Sequence, residues 1–520
     1  MKLIRLSNLI INFFLVILVV VSIIGAIVVL PTIIGRSSKL IVLISIVLIM
    51  LIAFIGTYWG KSVYLAKKIR KFIVLNKRVF LVLFFLVLFF LVTILWQFMI
   101  VMSLAGSTTW DPSIIVRAAA GHSYWVKDYF SFYPNTLLLL FFEHFVYIVA
   151  GHPRLITLTK ILNIINLLLL DTSLLILFSS LKKTFGKKIS VVSAFFFWTL
   201  IVISPLIAIP YSDIWALFFS TITLAMGYRV IRTSNFGKKG YLCLGLGTLL
   251  AISYLVKPSL MVYMVAWILM GFVEMTNRKI SKKHFFILII FVILPLIIIP
   301  VFNSAASHTS LVKVEKERAM TLTHYMAMGL AQGGGYNEQD VLLNEKIKDQ
   351  SKRNQMNINL IKERLHEKQV LGYTKFLFNK QISNTSDATF GWRNDGGEVG
   401  FLIPYSNSKN PLIAKIQKTY VSDTSGKDWS GNSLIVQSLW IVVLLCILAT
   451  LPNSQIEVQL LKYVVSGGMI FLLLFEGGRS RYLIQFLPFI TTLAGIGFVN
   501  IVEIFKNNIY YIRNVRKDEC

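Results

Sequence analysis

The chain has 520 residues, 56% of them hydrophobic and 15% charged, with a mean hydropathy of +0.71. That much apolar surface, delivered in long blocks, excludes a soluble globule and defines an all-α polytopic membrane protein. The net charge of +28 would suggest nucleic acid in a soluble chain, but many lysines and arginines here fall in short clusters between apolar blocks. That is the pattern of cytoplasmic loops beside an anionic leaflet, so membrane lipid is an expected partner and nucleic acid is not.

Measured against the roughly 20 apolar residues needed to cross the hydrocarbon core, twelve spans are expected. They lie near residues 9–30, 40–59, 79–105, 155–180, 189–209, 212–230, 241–256, 259–275, 284–302, 433–451, 462–475 and 483–503. Lys2 and Arg5 precede the first, as in a signal peptide, yet its apolar run is too long and the residues from Leu30 to Gly35 are no small-residue cleavage site. It reads as an anchor. Residues 136–150 are too short and carry Glu143 and His144, so they read as an interfacial helix.

With the N-terminus inside, the basic clusters Lys61–Arg78, Lys182–Lys188, Arg229–Lys239, Arg278–Lys283 and Lys506–Lys517 all become cytoplasmic. Counting 136–150 as a span would put four of those five outside. A multi-pass protein of the cytoplasmic membrane with both termini in the cytoplasm is therefore expected. Four regions follow: 1–78, two additional N-terminal helices and a basic loop; 79–302, a transmembrane core with a first outer loop at 106–154; 303–432, a mainly helical extracytoplasmic insert resting on the membrane domain; and 433–520, C-terminal helices with a basic tail. Within the insert, Asn337–Gln369 reads as one or two amphipathic helices, with turn signals at Gly333–Tyr336 and Asp395–Gly397.

Chemistry then belongs on the outer face. Asp111 stands between Trp110 and Pro112 just past a span. A carboxylate at that boundary is partly desolvated, which suits a general base, while Asp-Pro before Ser-Ile-Ile-Val-Arg is also a good helix start. Asp128 either pairs locally with Lys127 or serves as a second site carboxylate. Lys257, Arg479 and Arg481 lie on the face that the positive-inside bias depletes of cations; they either snorkel to headgroups or bind a lipid phosphate. Asp213 opens a span and reads as a cap or a site residue. Asp171 lies inside a span, either as an inter-helix hydrogen-bond partner or as a structural polar residue. Trp392 to Gly397, with Asp395, combines an aromatic plane with polar groups as sugar sites do, or forms a turn. Cys243, Cys446 and Cys520 have no redox or metal spacing, and His308, His324 and Glu317 make no zinc motif.

Taken in order, these parts resemble the GT-C superfamily of membrane glycosyltransferases, the class of the protein O-mannosyltransferases and of the aminoarabinose transferase for lipid A. The resemblance rests on Asp111 in the first outer loop, Tyr133-Pro134-Asn135, Tyr211-Ser212-Asp213, Lys257-Pro258, and Glu476 with Arg479, Arg481 and Tyr482, over roughly residues 79–500. More narrowly the chain is similar to Gram-positive integral membrane proteins described as glycosyltransferases, whose first loop reads Trp-Asp-Pro and later Tyr-Pro-Asn. It departs from many relatives in having Pro112, not a second acid, after Asp111, and in its two spans before residue 79.

The resemblance implies an inverting hexosyl or pentosyl transfer from a polyprenyl-phosphate sugar to a glycan, lipid or protein acceptor, without cofactor or metal. Asp111, with Asp128, would act on the acceptor hydroxyl; Lys257, Arg479 and Arg481 would hold the donor phosphate; Tyr133, Asn135, Asp213, Trp392, Asp395, Glu476 and Tyr482 would bind substrate. A polysaccharide polymerase or a lipid-linked glycan flippase is the alternative. No inverted repeat supports a transporter.

Overall fold

The computed structural model describes residues 2–34, 75–277, 282–392, 401–405, 408–421 and 431–518. The span expected at 40–59, most of the cluster from Lys61 to Arg78, and Asp395 lie outside the described residues. What is described is nearly all helix. Two short strands, β1 (Gly106–Ser107) and β2 (Ile403–Pro404), pair antiparallel.

The long helices are α1 (Lys2–Ile34), α2 (Leu75–Leu104), α5 (Leu155–Phe185), α7 (Ser212–Arg232), α8 (Phe236–Val256), α14 (Ile456–Leu474) and α15 (Leu487–Asp518). Each contains a stretch long and apolar enough to cross a membrane, seven in all among the described residues. Further helices complete the bundle: α4 (Leu137–Val149), α6 (Lys187–Phe197), α9 (Val262–Asn277), α10 (Lys282–Ala306) and α13 (Gly431–Leu448). Every span expected from the sequence, apart from 40–59, overlaps one of these helices, although 189–209 is α-helical only as far as Phe197 and continues through a π turn (Trp198–Val202) and a 3-10 turn (Pro205–Ala208). Pro31, Pro295 and Pro300 sit inside helices, as a bundle that can re-satisfy freed carbonyls permits.

The bundle has two chemically distinct ends. At one, Arg232 donates to the carbonyls of Lys183 and Thr184 and pairs with Glu457, and Lys188 pairs with Glu503. Lys462, buried nearby, donates to Asn12 Oδ1 and to the carbonyls of Leu451 and Asn453. These contacts gather the ends of α5, α7 and α15 and the start of α14. The other end, the Asp111 end, carries Asp111, Tyr211, Lys257 and Glu476.

The helix at residues 137–149 stays at the Asp111 end. Its His144 Nδ1 lies 2.7 Å from the carbonyl of Ala119 in α3 (Asp111–Ala119), and Leu137, Leu139 and Leu140 pack on Ile114, Ile115, Ala118 and Ala119. Within the bundle, Gln97 of α2 bridges to Asp171 of α5 at 2.9 Å and to the carbonyl of Val202 at 3.0 Å, which makes Asp171 an inter-helix hydrogen-bond partner.

The insert is helical, as expected, and strongly self-bonded. It contains α11 (Leu322–Met328), a helix at Glu338–Lys346, and α12 (Gln350–Thr385). Arg353 donates to four carbonyls, those of Ile347, Lys348, Glu317 and Ala319. Arg364 makes a bidentate pair with Asp340 at 2.7 Å on both arms, the geometry that gives arginine–carboxylate pairs their strength.

The insert does more than rest on the membrane domain. Gln369 adopts a left-handed φ of 50° that splits α12 in two, and the second half runs into the bundle. Gln381 donates to Ser22 Oγ and to the carbonyl of Leu18 in α1, Trp440 of α13 donates to the carbonyl of Thr385, and Gln437 bridges the carbonyls of Ala26 and Ser386. Phe390, Trp392, Phe401 and Tyr420 belong to the main apolar core. The polarity of Lys380, Gln381, Asn384 and Thr385 gives no sign of this, yet all four are buried.

Candidate functional site

Asp111 sits in the first turn of α3, but its side chain does not cap that helix. The cap position is Trp110, with no side-chain bond, and the Ser113 N–H is met by Thr108 Oγ1 at 3.3 Å. The Asp111 carboxylate instead accepts a 2.8 Å hydrogen bond from the Tyr211 hydroxyl. Burial first, and then the Asp111 charge, push the Tyr211 hydroxyl far above its ordinary range, so it remains a donor.

Two residues beyond Tyr211, Asp213 also lies in a first helical turn without capping it. Lys257 Nζ donates to its Oδ1 at 2.5 Å, and Arg481 Nε lies 3.5 Å from its Oδ2. Lys257 closes α8 and Arg481 opens the turn before α15, so one carboxylate gathers two cations from distant parts of the chain. Both would be costly to bury alone. The Arg481 guanidinium stacks 4.0 Å from the Trp110 ring and stands 5.8 Å from that of Tyr211. Trp110 and Tyr211 meet edge to face at 5.4 Å. Asp111 and the cation pair are thereby parts of one packed unit.

Beside this unit lies a cavity of about 340 Å³, bordered by Asn135, Lys257, Asn303, Tyr325, Glu476 and Tyr482 among others. Tyr482 donates to Glu476 Oε1 at 2.7 Å, and Lys257 stands 5.4 Å from the Tyr482 ring. Desolvation raises the Glu476 carboxyl above its ordinary range, against the pull of the Tyr482 hydrogen bond and of Arg479. Tyr133, tilted against Tyr129 at 5.1 Å, is raised by burial and then by Tyr325 and Asp111, and Tyr325 by burial and then by Glu476 and Asp111. Tyr325 and Tyr482, both raised by burial, wall the pocket together with the Glu476 carboxyl.

Glu476 is held in place by its neighbours on the insert. Lys380 Nζ donates to the carbonyls of Gly329, Leu473 and Phe475, fastening the end of α14 to the end of α11. Gly477 N–H donates to the carbonyl of Gly334, and Gly478 N–H to Asn384 Oδ1. Gly478 has a φ of 74° and packs on Gly335, a turn that a side chain would strain. At Gly106, where β1 meets β2, an added Cβ would lie 2.2 Å from the carbonyl of Ile403, so only glycine allows that pairing.

Of the residues singled out in the sequence, the structure brings together Asp111, Asp213, Lys257, Arg481, Asn135, Glu476 and Tyr482, with Tyr133 and the half-buried Arg479 adjoining them. Asp128 is engaged elsewhere: Arg318 holds it at 2.7 Å and Lys313 at 4.0 Å, both from the insert. Lys127 is not its partner in either pair. Trp392 does not join the cluster; it is buried edge to face against Tyr420, 5.5 Å away, in the apolar core. Sequence reading undervalued Trp110, Tyr211, Tyr325 and Lys380. The doublets Trp110-Asp111 and Tyr211-Ser212-Asp213 carried a signal for the first two, since each sets an aromatic residue beside an acid at a span end.

No group of three or more His, Cys, Asp or Glu side chains able to hold a metal occurs among the described residues. No curated protein and no solved structure matches the chain. A family model described as a conserved hypothetical integral membrane protein matches residues 3–501. That match takes in every helix that builds the Asp111 end, and the chain belongs to this family of conserved hypothetical integral membrane proteins.

Proposed function

We propose that the protein is an inverting glycosyltransferase that moves a sugar from a polyprenyl-phosphate carrier to an acceptor hydroxyl on the extracytoplasmic side of the cytoplasmic membrane. The observation that carries this reading is that Arg481, which shares Asp213 with Lys257 at the edge of the cavity, stacks on Trp110 and stands beside Tyr211, the phenol that holds the Asp111 carboxylate. A base and a phosphate-binding pair side by side are the two requirements of such a transfer.

In the reaction, Asp111 takes the proton of the acceptor hydroxyl while that oxygen forms a bond to C1 of the sugar. The bond from C1 to the phosphate oxygen breaks on the opposite face, and the electron pair leaves with the polyprenyl phosphate. Lys257 and Arg481, set in place by Asp213, and Arg479 beside them meet the charge that grows on the phosphate. Asn135, Tyr325, Glu476 and Tyr482 bind sugar hydroxyls, and Tyr211 orients the base. The gathering of Lys183, Lys188, Arg229 and Arg232 at the opposite end supports an extracytoplasmic Asp111 end, by the positive-inside bias.

The test is transfer by purified protein in liposomes, supplied with polyprenyl-phosphate sugars and a panel of hydroxyl acceptors. Release of polyprenyl monophosphate that requires Asp111 supports the reading. Hydrolysis or transfer unaffected by Asp111→Asn contradicts it.

A further inference from the structure

The two halves of α12 present different surfaces. Before Gln369 the helix is charged and amide-rich, from Lys352 to Lys368. After the left-handed turn at Gln369, Val370 and Leu371 are 81% and 85% exposed, and Phe378 is exposed on the same half. Tyr373 and Phe376 stack at 6.2 Å, and Lys368 Nζ lies 4.9 Å from the Phe376 ring. An apolar edge of this kind facing water would be costly, since each fully exposed large aliphatic side chain forgoes the gain of burial.

The far end of the same half-helix is fixed in the bundle. Gln381 bonds to Leu18 and Ser22, and Ile382 packs on Gly25, all within the membrane span Arg5–Pro31. At the helical rise, Ser22 lies about 14 Å along α1 from Pro31, and Val370 lies about 16 Å along α12 from Gln381. The exposed edge therefore begins within a few turns of a contact well inside a membrane span. Its basic residues, Lys368 and Lys375, stand where an interfacial helix places them, with stems along apolar surface and ammonium groups at headgroups.

We propose that the half-helix from Val370 to Phe378 is a membrane-embedded elbow: Val370, Leu371 and Phe378 lie against lipid acyl chains, and Lys368 and Lys375 meet lipid phosphates. The elbow fixes the insert to the bilayer as well as to the bundle. Lys380, two residues further on, carries that anchorage to the carbonyls of Leu473 and Phe475 just before Glu476. The proposal stands independently of the transfer reaction.

A nitroxide attached at Leu371→Cys tests it, in full-length protein with Cys243, Cys446 and Cys520 changed to Ser and reconstituted in liposomes. Collision with oxygen and with a water-soluble nickel chelate is compared with labels at Leu95, exposed on the apolar face of α2, and at Ser351, exposed at the charged start of α12. High oxygen and low nickel collision, as at Leu95, is expected. Nickel collision matching Ser351 would place the edge in water, and low collision with both would place it against protein; either overturns the proposal. A label at Val370→Cys repeats the measurement should Leu371→Cys fail to assemble.

Discussion

The Tyr211 hydroxyl donates a 2.8 Å hydrogen bond to the Asp111 carboxylate across 100 residues of chain. Asp111 opens α3 and Tyr211 immediately precedes α7, so the bond fixes α3 to the entry of α7 and aims the carboxylate in one step. Tyr211→Phe keeps the ring against Trp110 and removes only the donor. A hydrogen bond to a charged group is worth about 1.5–3 kcal/mol, so transfer should fall by roughly 10- to 100-fold, measured as release of polyprenyl monophosphate. Unchanged release would mean that Tyr211 merely packs.

Asp213 is the common partner of Lys257 and Arg481, and its side chain is only 9% exposed. Asp213→Ala leaves two enclosed cations without their carboxylate, which should lower stability by about 3 kcal/mol. Arg481→Gln leaves the Lys257–Asp213 pair intact and should weaken donor use by about 1.5–3 kcal/mol with less effect on folding. Thermal unfolding and donor titration of the two variants separate the structural role from the binding role. Equal loss of stability in both would contradict the assignment.

Lys380 offers a test of how the insert holds the site. Lys380→Met keeps the apolar stem and strands three carbonyls that the ammonium now serves. A stability loss of about 3 kcal/mol is expected, with a shift in the Glu476 loop that lowers sugar affinity. Thermal melting alongside donor KM checks both, and an unaltered melting point would show that the carbonyls find other donors.

Much of this arrangement was legible in the sequence. Lys257, Arg479 and Arg481 stood out because the positive-inside bias depletes cations on the face where the sequence leads one to expect them, and Asp111 because it lies in a polar loop just after an expected span. What stayed hidden depends on tertiary geometry. The pairing of Asp213 with Lys257 and Arg481 joins three helix ends, and no local pattern distinguishes it from a cap. The burial of Lys380 and Gln381 reverses what their polarity suggests, because carbonyls at the ends of α11 and α14, and the hydroxyl of Ser22, supply the partners that water would otherwise provide. Trp392 read as either a sugar platform or part of a turn, because an aromatic beside polar residues is ambiguous until its neighbours are known.

His324, fully buried beside Tyr325, gives the insert a pH dependence. Burial lowers it to about 4, with Asp340 opposing and Arg353 assisting, whereas an unfolded histidine titrates near about 6.5. Between those values the unfolded chain takes up a proton that the folded one refuses. The stability contributed by the neutral ring is thus complete above about pH 6.5 and is lost as pH falls toward 4, up to about 3 kcal/mol. His324→Phe should narrow the difference in melting temperature between about pH 7.5 and about pH 5. An undiminished difference would place the acid sensitivity elsewhere.

Transfer by Asp111→Asn tests the central claim most directly. Asparagine preserves size and can still accept from Tyr211, and because the Asp111 side chain makes no capping bond to α3, the substitution spares that helix. Release of polyprenyl monophosphate is expected to fall by about 10²–10⁴-fold, with an unchanged melting temperature and unchanged donor binding. An Asn variant that transfers sugar at the parental rate would contradict the assignment of Asp111 as the base.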